Sequence, residues 1–396
     1  MSAIPSLEGV ITADEVRETA DQLASLQLPN GMIQWFPGGH SDPWNHIESA
    51  MALDVAGLHK EAENAYEWLA DIQRPDGSWH NYYRPDGSVE DAKIDTNVCA
   101  YIATGVWHHW RSTWDRGFAE NMWPTVERAL DFVLSLRRDD GVPLWAVEPD
   151  GKPWDYALLT GTASIQHALR CGAHLGEAIG SPRPEWSRAA ATMCEVIRSK
   201  PDAFEPKTRW AMDWYYPVLT SALTGTAAKI RMESGWDRFV IDGLGVRCVD
   251  DEPWITASET AECALACAVM GDVSTATDLL QWVRPHRNTS ASASASASAS
   301  GAPLTDSDDA ASPGAYWTGI VHDLSEPTGG PSRVLFPFDE HSSYTAAAVI
   351  LAVDAITQTT QASNLFVERT GFMDPSDRAA IRSSASRAAA RNQTSV

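Results

Sequence analysis

Glu262 lies in sequence surroundings that suit general acid chemistry. It stands in the stretch WITASETAECALACAVMG, whose hydrophobic spacing is helical and which carries no further charge until Asp272. A carboxyl group in apolar company is costly to ionise, so its pKa rises and it can donate a proton near neutral pH. The competing interpretation is a structural partner from another helix, such as an Arg side chain or a Trp N–H.

Asp42 is the second candidate for acid–base chemistry. It stands in GGHSDPWNHIE, directly before a proline, which is typical of a helix N-cap. Trp35, Trp44 and His46 crowd the same turn. A cap role alone explains Asp42, but an N-cap side chain also projects past the end of its helix, so both roles can hold. We predict Asp42 and Glu262 as a catalytic pair.

Acids and tryptophans recur at equivalent places along the chain. There are 17 Trp against nine Tyr and nine Phe, and each indole offers a wide apolar face with one donor. Asp95, Asp155 and Asp213 also open helical stretches and are caps when taken singly, while Thr256 and Glu259 fit a capping box. Together they predict a carbohydrate cleft. The predicted substrate-binding residues are Trp35, Trp44, His46, Trp79, Tyr82, Asp95, Trp154, Asp155, Asp213, Trp214, Trp254, Glu259, His341 and Tyr344.

A pair of carboxyl groups flanking a glycosidic bond can hydrolyse it. One protonates the leaving oxygen and the other activates a water molecule. An inverting reaction requires the two carboxyl groups to stand roughly 6.5 to 9.5 Å apart. Which of Asp42 and Glu262 is the acid stays open, although burial favours Glu262.

The elements that must position these side chains are helices of two kinds. Small, apolar helices open at Asp42, Asp95, Asp155, Asp213, Thr256 and about His341. Because they are rich in Ala, Gly, Ser and Thr, we predict that they are buried on most sides. Amphipathic helices with a charged face alternate with them and are predicted to lie outside, at 15–26, 59–72, 118–136, 185–197, 273–283 and, weakly signalled, within 229–245.

The spacing of the inner helices predicts the fold. Their starts recur at intervals of 43 to 60 residues, and the longer last interval falls into that range without the stretch 288–315. Six hairpins at this period predict an all-α fold, an (α/α)6 toroid or barrel of inner and outer helices. We predict one catalytic domain over 1–375, a flexible Ser/Ala-rich insertion at about 288–315, and a disordered tail over 376–396.

Composition and motifs exclude several classes. The formal charge of −23 opposes nucleic acid and anionic membranes as partners. The longest apolar run, 346–353, is far too short to span a bilayer, and no signal peptide is evident. Six scattered cysteines without a CxxC pair, together with the absence of a secretory signal, favour free thiols in a cytoplasmic protein. No metal motif, nucleotide loop or serine elbow occurs, so neither metal nor cofactor is expected.

Several stretches carry a resemblance to known proteins. The turn QRPDGSW (73–79), the helix opening at Asp42 and the toroid period resemble α/α-barrel glycoside hydrolases. More closely, DPWNHIESAMAL, WITASETAECALA and FPFDEHSSYTAAAVILA resemble actinobacterial proteins labelled prenyltransferase-like, which include hydrolases of methylmannose polysaccharide. The resemblance covers most of 31–356. It implies endo-acting cleavage of α-1,4-mannosidic bonds in a neutral, partly O-methylated mannan, by an inverting carboxylate pair that we place on Asp42 and Glu262.

Other activities share the toroid. Terpene cyclases of the protonating type use a DxDD acid, and DSDD occurs at 306–309, but inside the Ser/Ala-rich stretch. Protein prenyltransferases hold zinc with Asp, Cys and His, and no cysteine here stands in such a cluster. Sugar epimerases use paired histidines, for which His46 with His167 or His341 is the available set. A non-catalytic glycan-binding toroid would keep the tryptophans and have no use for Glu262.

Overall fold

The structure, a computed structural model, describes residues 3–289, 312–322 and 331–367, the side chains of 331–339 excepted. In chain order its helices are α1 (Ala13–Ser25), α2 (Pro43–Val55), α3 (His59–Ile72), α4 (Thr96–Ala100), α5 (Ile102–Thr113), α6 (Arg116–Ser135), α7 (Leu159–Ile179), α8 (Pro184–Ser199), α9 (Ala211–Leu219), α10 (Gly225–Phe239), α11 (Ala257–Met270), α12 (Val273–Val283) and α13 (Ser343–Thr357).

Six inner positions form a closed ring. Going around it, α2 packs against α5, α5 against α7, α7 against α9, α9 against α11, α11 against α13, and α13 against α2 again. The short helix α4 leads into α5 and shares its position. Every residue of α2 is buried, as are residues 257–269 of α11. Small side chains let the helices approach closely, as predicted from composition.

The outer helices cover this ring, each packed against the inner helix beside it. Helix α3 lies on α2, α6 on α5, α8 on α7, α10 on α9, α12 on α11, and α1 on α13. The all-α toroid of inner and outer helices is thereby confirmed. The weakly signalled outer helix within 229–245 is α10, which begins earlier, at Gly225.

The predicted inner helix starts agree with the structure in five of six cases. Asp42, Asp95 and Thr256 are N-caps, and the starts at Asp213 and His341 are displaced by two residues. The start at Asp155 is wrong, because α7 begins at Leu159 and the preceding residues form a turn that reaches Tyr156. The capping box at Thr256 and Glu259 is also wrong, since the Thr256 side chain makes no cap hydrogen bond.

Short strands connect the helices at the end of the ring where the inner helices begin. Strands β1 (Tyr82–Tyr83) and β2 (Val89–Asp91) pair antiparallel, as do β3 (Ile94–Asp95) and β4 (Ala146–Val147). Strands β5 (Val240–Ile241), β6 (Gly245–Arg247), β7 (Trp254–Thr256), β8 (Trp317–His322) and β9 (Pro331–His341) form an antiparallel sheet in that order. The sequence did not predict this sheet because β5 to β7 are too short to show alternation.

Most of the predicted insertion at 288–315 and the predicted tail at 376–396 lie outside the described residues. Within the insertion range, Asn288 donates its N–H to the Ala315 carbonyl at 2.8 Å and accepts from Gly314 N–H at 3.0 Å. The described chain on either side of the Ser/Ala-rich stretch therefore forms a paired stem. No helix in the described ranges is both long and apolar enough to cross a membrane.

The repeated turn RPDGS offers a matched test of how the loops pack. Gly77 and Gly87 occupy the same position of the turn, with φ of 92° and 82°. A Cβ at Gly77 would lie 2.3 Å from the Arg128 carbonyl oxygen of α6, whereas one at Gly87 would meet nothing within 4 Å. We expect Gly87→Ala to lower the free energy of unfolding by about 1 kcal/mol, the cost of a left-handed alanine.

Gly77→Ala should lower the free energy of unfolding by about 2 to 4 kcal/mol, since the overlap with α6 adds to the same backbone penalty. Urea unfolding followed by circular dichroism measures both. If the two variants lose the same free energy of unfolding, the turn at Gly77 does not pack closely against α6.

Candidate active site

A cavity of about 620 Å³ opens at the end of the ring where the inner helices begin. Each of the six inner positions contributes residues from its first turn, so backbone N–H groups without helical partners face this region. Such helix ends favour negative charge. The cavity is lined by Trp35, Asp42, Trp44, Asn45, Asn81, Tyr82, Asp95, Asn97, Val98, Thr160, Trp210, Met212, Cys248, Thr256, Ser258, Glu259, Thr318, Glu340, Ser342 and Tyr344.

Asp42 is held in the cavity wall as the N-cap of α2. Its Oδ1 accepts the N–H groups of Trp44 at 2.9 Å and Asn45 at 3.0 Å. Its Oδ2 is buried and has no hydrogen-bond partner within the described chain. Burial raises the pKa of Asp42 to about 7, and the nearby charge of Asp95 acts in the same direction. One oxygen is therefore anchored while the other is available for a proton.

Glu259 lies across the cavity in the first turn of α11. Its Oε2 accepts the Thr256 hydroxyl and the Ser258 hydroxyl, the latter at 2.7 Å. Both hydrogen bonds fix the orientation of the carboxyl group in the first turn of α11. Glu259 therefore does not have the capping role predicted from sequence. Its side chain lines the cavity and is held by hydroxyl donors.

Glu262 lies one turn deeper in α11 and does not line the cavity. Its Oε2 accepts the Tyr215 hydroxyl and its Oε1 accepts the Tyr344 hydroxyl at 2.7 Å. Burial, followed by the charge of Glu48, raises the pKa of Glu262 well above its ordinary value. The apolar setting inferred from sequence is present, but Tyr344 stands between this carboxyl group and the cavity.

Glu48 is a second buried acid beneath the cavity, and sequence reasoning missed it. It accepts the Tyr101 hydroxyl at 2.5 Å, and burial raises its pKa to about 7. Tyr101 in turn stacks on Trp44, with ring centroids 4.0 Å apart and planes 5° apart. The floor of the cavity is thus an aromatic layer supported by protonatable acids.

Aromatic side chains form much of the cavity wall. Tyr82 stacks on His40 at 4.5 Å, and Trp35 packs against Tyr82 at 6.1 Å. Trp210 is 44% exposed at the mouth. Open indole and phenol faces of this kind suit the apolar faces of sugar rings.

Polar side chains stand among these rings. Asp95 is largely buried and pairs with Lys93 at 3.1 Å, while Asn81 donates to Asp91 at 2.8 Å. On the opposite wall, Thr318 donates to Glu340 at 3.0 Å. Such groups can exchange hydrogen bonds with sugar hydroxyls.

Seven of the residues predicted from sequence as catalytic or substrate-binding line the cavity. They are Trp35, Asp42, Trp44, Tyr82, Asp95, Glu259 and Tyr344. Sequence reasoning missed other lining residues that lie on the same turns and strands. Those with polar or aromatic side chains are Asn45, Asn81, Asn97, Thr160, Trp210, Thr256, Ser258, Thr318, Glu340 and Ser342. For Trp210 a signal existed, since it directly precedes the helix that contains Asp213.

Three further predicted residues lie in the core instead. His46 accepts Ile33 N–H at Nδ1 and donates from Nε2 to the Ala65 carbonyl. Trp79 donates to the Leu69 carbonyl, and Trp214 donates to the Arg231 carbonyl. Their polar side-chain atoms are bonded to backbone groups, so none is available to bind a sugar.

The remaining predicted residues also lie outside the cavity lining. Asp155 is exposed ahead of α7, and Asp213 is buried within α9 near Thr160. His341 packs on Trp317 at 3.6 Å, while Trp254 lies in β7. Trp154 belongs to an aromatic cluster near Asp95 that is described below. Among the described residues, no group of three or more His, Cys, Asp or Glu is placed to hold a metal ion.

Solved structures share this architecture. A glycosidase variant in complex with glucose superposes with a TM-score of 0.63 over 88% of this chain and 97% of that one, at 12% identity. A D-mannose isomerase superposes with a TM-score of 0.62 over 87% and 97%, at 11% identity. These likenesses show the fold. The ring of helical hairpins, with carboxyl groups and aromatic rings at its mouth, defines the fold class as an α/α toroid.

The sequence comparison is more specific. Over 366 residues the chain is 44% identical to the MMP endo-(1,4)-3-O-methyl-alpha-D-mannosidase of Mycolicibacterium hassiacum, covering 92% of both chains. The chain belongs to this family of glycoside hydrolases. No protein-family model matches it.

The environment of Asp42 predicts how stability depends on pH. Its folded pKa of about 7 exceeds the ordinary value of 3.8, so the folded state holds a proton that the unfolded state releases. This contribution to stability is present below pH 4 and is lost as the pH rises to about 7. In Asp42→Asn the amide oxygen can keep the cap without this loss. Its free energy of unfolding relative to wild type should therefore rise by about 1 to 4 kcal/mol between pH 4 and 7.5.

Asp86→Asn is the control, because hydrogen bonds from Ser88 hold the pKa of the exposed Asp86 below its ordinary value. Its stability relative to wild type should stay nearly constant over the same pH range, because a lowered carboxyl pKa changes stability only below about pH 4. Urea unfolding at both pH values measures the two differences. If the free energy of unfolding of Asp42→Asn relative to wild type does not change with pH, the carboxyl group of Asp42 ionises normally.

Proposed function

We propose that this chain hydrolyses internal α-1,4-mannosidic bonds of a neutral, partly O-methylated mannan. The observation that carries the proposal is the cavity, in which two carboxyl groups from α2 and α11 lie among aromatic rings. The proposal is supported by the endo-(1,4)-3-O-methyl-α-D-mannosidase activity that names the Mycolicibacterium hassiacum relative. Methyl ethers make a sugar less polar, and burying them against indole faces is favourable.

Asp42 serves as the general acid in this proposal. Its raised pKa keeps the carboxyl group protonated near neutral pH, and its Oδ2 has no competing partner in the described protein. The proton therefore passes to the glycosidic oxygen as the bond to the leaving sugar breaks. The two N–H groups at Oδ1 then stabilise the carboxylate that remains.

Glu259 serves as the general base. Hydroxyl donors from Thr256 and Ser258 hold its side chain in the cavity wall, where it can accept a proton from water as that water attacks the anomeric carbon. The roles follow from the environment of Asp42, because burial raises the pKa of that carboxyl group and suits it to the acid role, which leaves the base role to Glu259. Since α13 separates α2 from α11 in the ring, the two groups approach from different walls, so they can flank a glycosidic bond.

Glu262, the catalytic partner inferred from sequence, acts here through Tyr344. Its two tyrosine hydrogen bonds fix the position of the Tyr344 ring at the cavity wall. Glu262 is therefore a positioning residue in the proposal. Direct comparison of Glu259 and Glu262 variants separates the two assignments.

The alternative activities are less well supported by the cavity. No histidine lines it among the described residues, whereas a sugar epimerase on this scaffold needs paired histidines. The DSDD acids at 306–309 lie outside the described residues. We further propose a cytoplasmic location, which is supported by scattered cysteines without a CxxC pair.

Product analysis tests the proposed reaction. Incubation with methylated α-mannan, unmethylated α-mannan and α-glucan should release internal fragments fastest from the methylated mannan. The new reducing ends should appear first as the β-anomer in proton NMR, because inversion of an α-bond gives β. If the α-anomer forms first, the reaction proceeds with retention and not with inversion. If no mannan is cleaved, the proposed activity is wrong.

Variants of the three acids test the assignment of roles. Asp42→Asn and Glu259→Gln should each lower kcat by about 10³-fold with little change in KM, because each removes a proton transfer. Glu262→Gln should lower kcat by about tenfold, since Tyr344 keeps one acceptor. A loss in Glu262→Gln as large as that in Asp42→Asn, with Glu259→Gln still active, would return the catalytic role to Glu262. Thermal unfolding of each variant checks that it folds.

A further inference from the structure

Three aromatic side chains cluster outside the cavity, and we name Trp145, Trp154 and Tyr156 the aromatic shelf. The Trp145 and Trp154 rings meet edge to face at 4.8 Å, and Tyr156 lies 5.8 Å from the first and 5.4 Å from the second. Each ring is partly exposed. None of the three belongs to the hydrophobic core or packs against it, so burial of the core does not account for them.

The shelf is joined to one wall of the cavity. Strand β4 pairs with β3 so that Ala146 stands opposite Asp95, a cavity residue. Thr96 donates both its N–H, at 2.8 Å, and its hydroxyl, at 2.9 Å, to the Trp145 carbonyl. The distance between the shelf and the start of α4 is therefore set by backbone pairing.

The other side of the shelf approaches the cavity mouth. Lys207 lies over the Tyr156 ring at 5.6 Å, and its carbonyl accepts the N–H of Trp210 at 2.9 Å. Trp210 lines the cavity and is 44% exposed. The shelf thus lies in the sector between Asp95 and Trp210, directly outside the place where a bound chain would leave the cavity.

Lysine ammonium groups flank the rings. Lys93 lies 4.6 Å from the Trp145 centroid and 5.6 Å from the Trp154 centroid, and it also pairs with Asp95. Ammonium groups are donors only, so they suit the hydroxyl and ether oxygens of a sugar. Aromatic rings together with nearby ammonium donors match a pyranose, which has apolar C–H faces and oxygens around its rim.

We propose that the aromatic shelf binds a sugar residue of the same glycan chain outside the cavity, as an additional subsite that selects long substrates. This inference rests on the proposed function, since it assumes that the cavity cleaves an internal bond. A chain cleaved internally extends beyond the cavity on both sides. The shelf then contributes binding energy that a short fragment cannot use.

Kinetics with a series of methylated manno-oligosaccharides of increasing length tests the shelf. For long oligosaccharides, Trp154→Ala should raise KM about tenfold with kcat unchanged, because it removes binding to a part of the chain remote from the reacting bond. For fragments short enough to fill only the cavity, KM should stay within about twofold of wild type. Trp154→Phe, which keeps an aromatic face, should restore most of the affinity for long substrates.

Trp282→Ala, at a partly buried tryptophan on the outer helix α12, is the matched control and should leave both KM values unchanged. If Trp154→Ala raises KM equally for short and long oligosaccharides, the shelf is not a subsite for long substrates. The same conclusion follows if Trp282→Ala raises KM as much as Trp154→Ala does. Failure of the wild type to cleave any mannan would instead overturn the proposed function. In that case the binding affinities of the same oligosaccharides are measured by calorimetry. Equal affinities of wild type and Trp154→Ala for every length would exclude sugar binding at the shelf.

Discussion

The inner helices are buried on nearly every side, and this constraint determines where chemistry can occur in the protein. A polar side chain within such a helix needs a hydrogen-bond partner within the protein. At the first turn, by contrast, the backbone N–H groups lack helical partners and the ring opens to solvent. Because all six inner positions begin at the same end, their polar and aromatic residues converge on one cavity.

The same constraint explains why carboxyl groups close in sequence have different roles. Glu259 and Glu262 are three residues apart on α11, but only the first reaches the cavity. Glu262 lies within the ring, where Tyr215 and Tyr344 satisfy it. Glu48 on α2 is paired with Tyr101 in the same layer. Buried acids with hydroxyl donors thus support the floor on which the substrate would lie.

Asp42 combines a structural role with a raised carboxyl pKa. Capping α2 occupies one carboxylate oxygen and fixes its position, while burial raises the pKa of the group. An exposed cap such as Asp115, which accepts from Phe118 N–H at the start of α6, has the first property without the burial. The alternatives of cap and catalyst that the sequence left open for Asp42 are therefore compatible.

Much of this protein was determined by local sequence. Helix period, small-residue composition and spacing predicted the toroid, because each hairpin repeats the same local pattern of burial. The cluster of acids and indoles at helix starts likewise located the cavity, and Asp42, Trp44 and Asp95 were found in this way. These features depend on residues near one another in the chain.

Tertiary structure decided which of those residues share the cavity. His46 and Trp79 have the right types and positions, yet the backbone carbonyls of Ala65 and Leu69 take their donors in the core. Glu259 rather than Glu262 lines the cavity because Glu262 lies one turn deeper and is bound by Tyr344 of α13. Contacts between inner helices and the pairing of short strands join segments distant in sequence, so no local pattern encodes them.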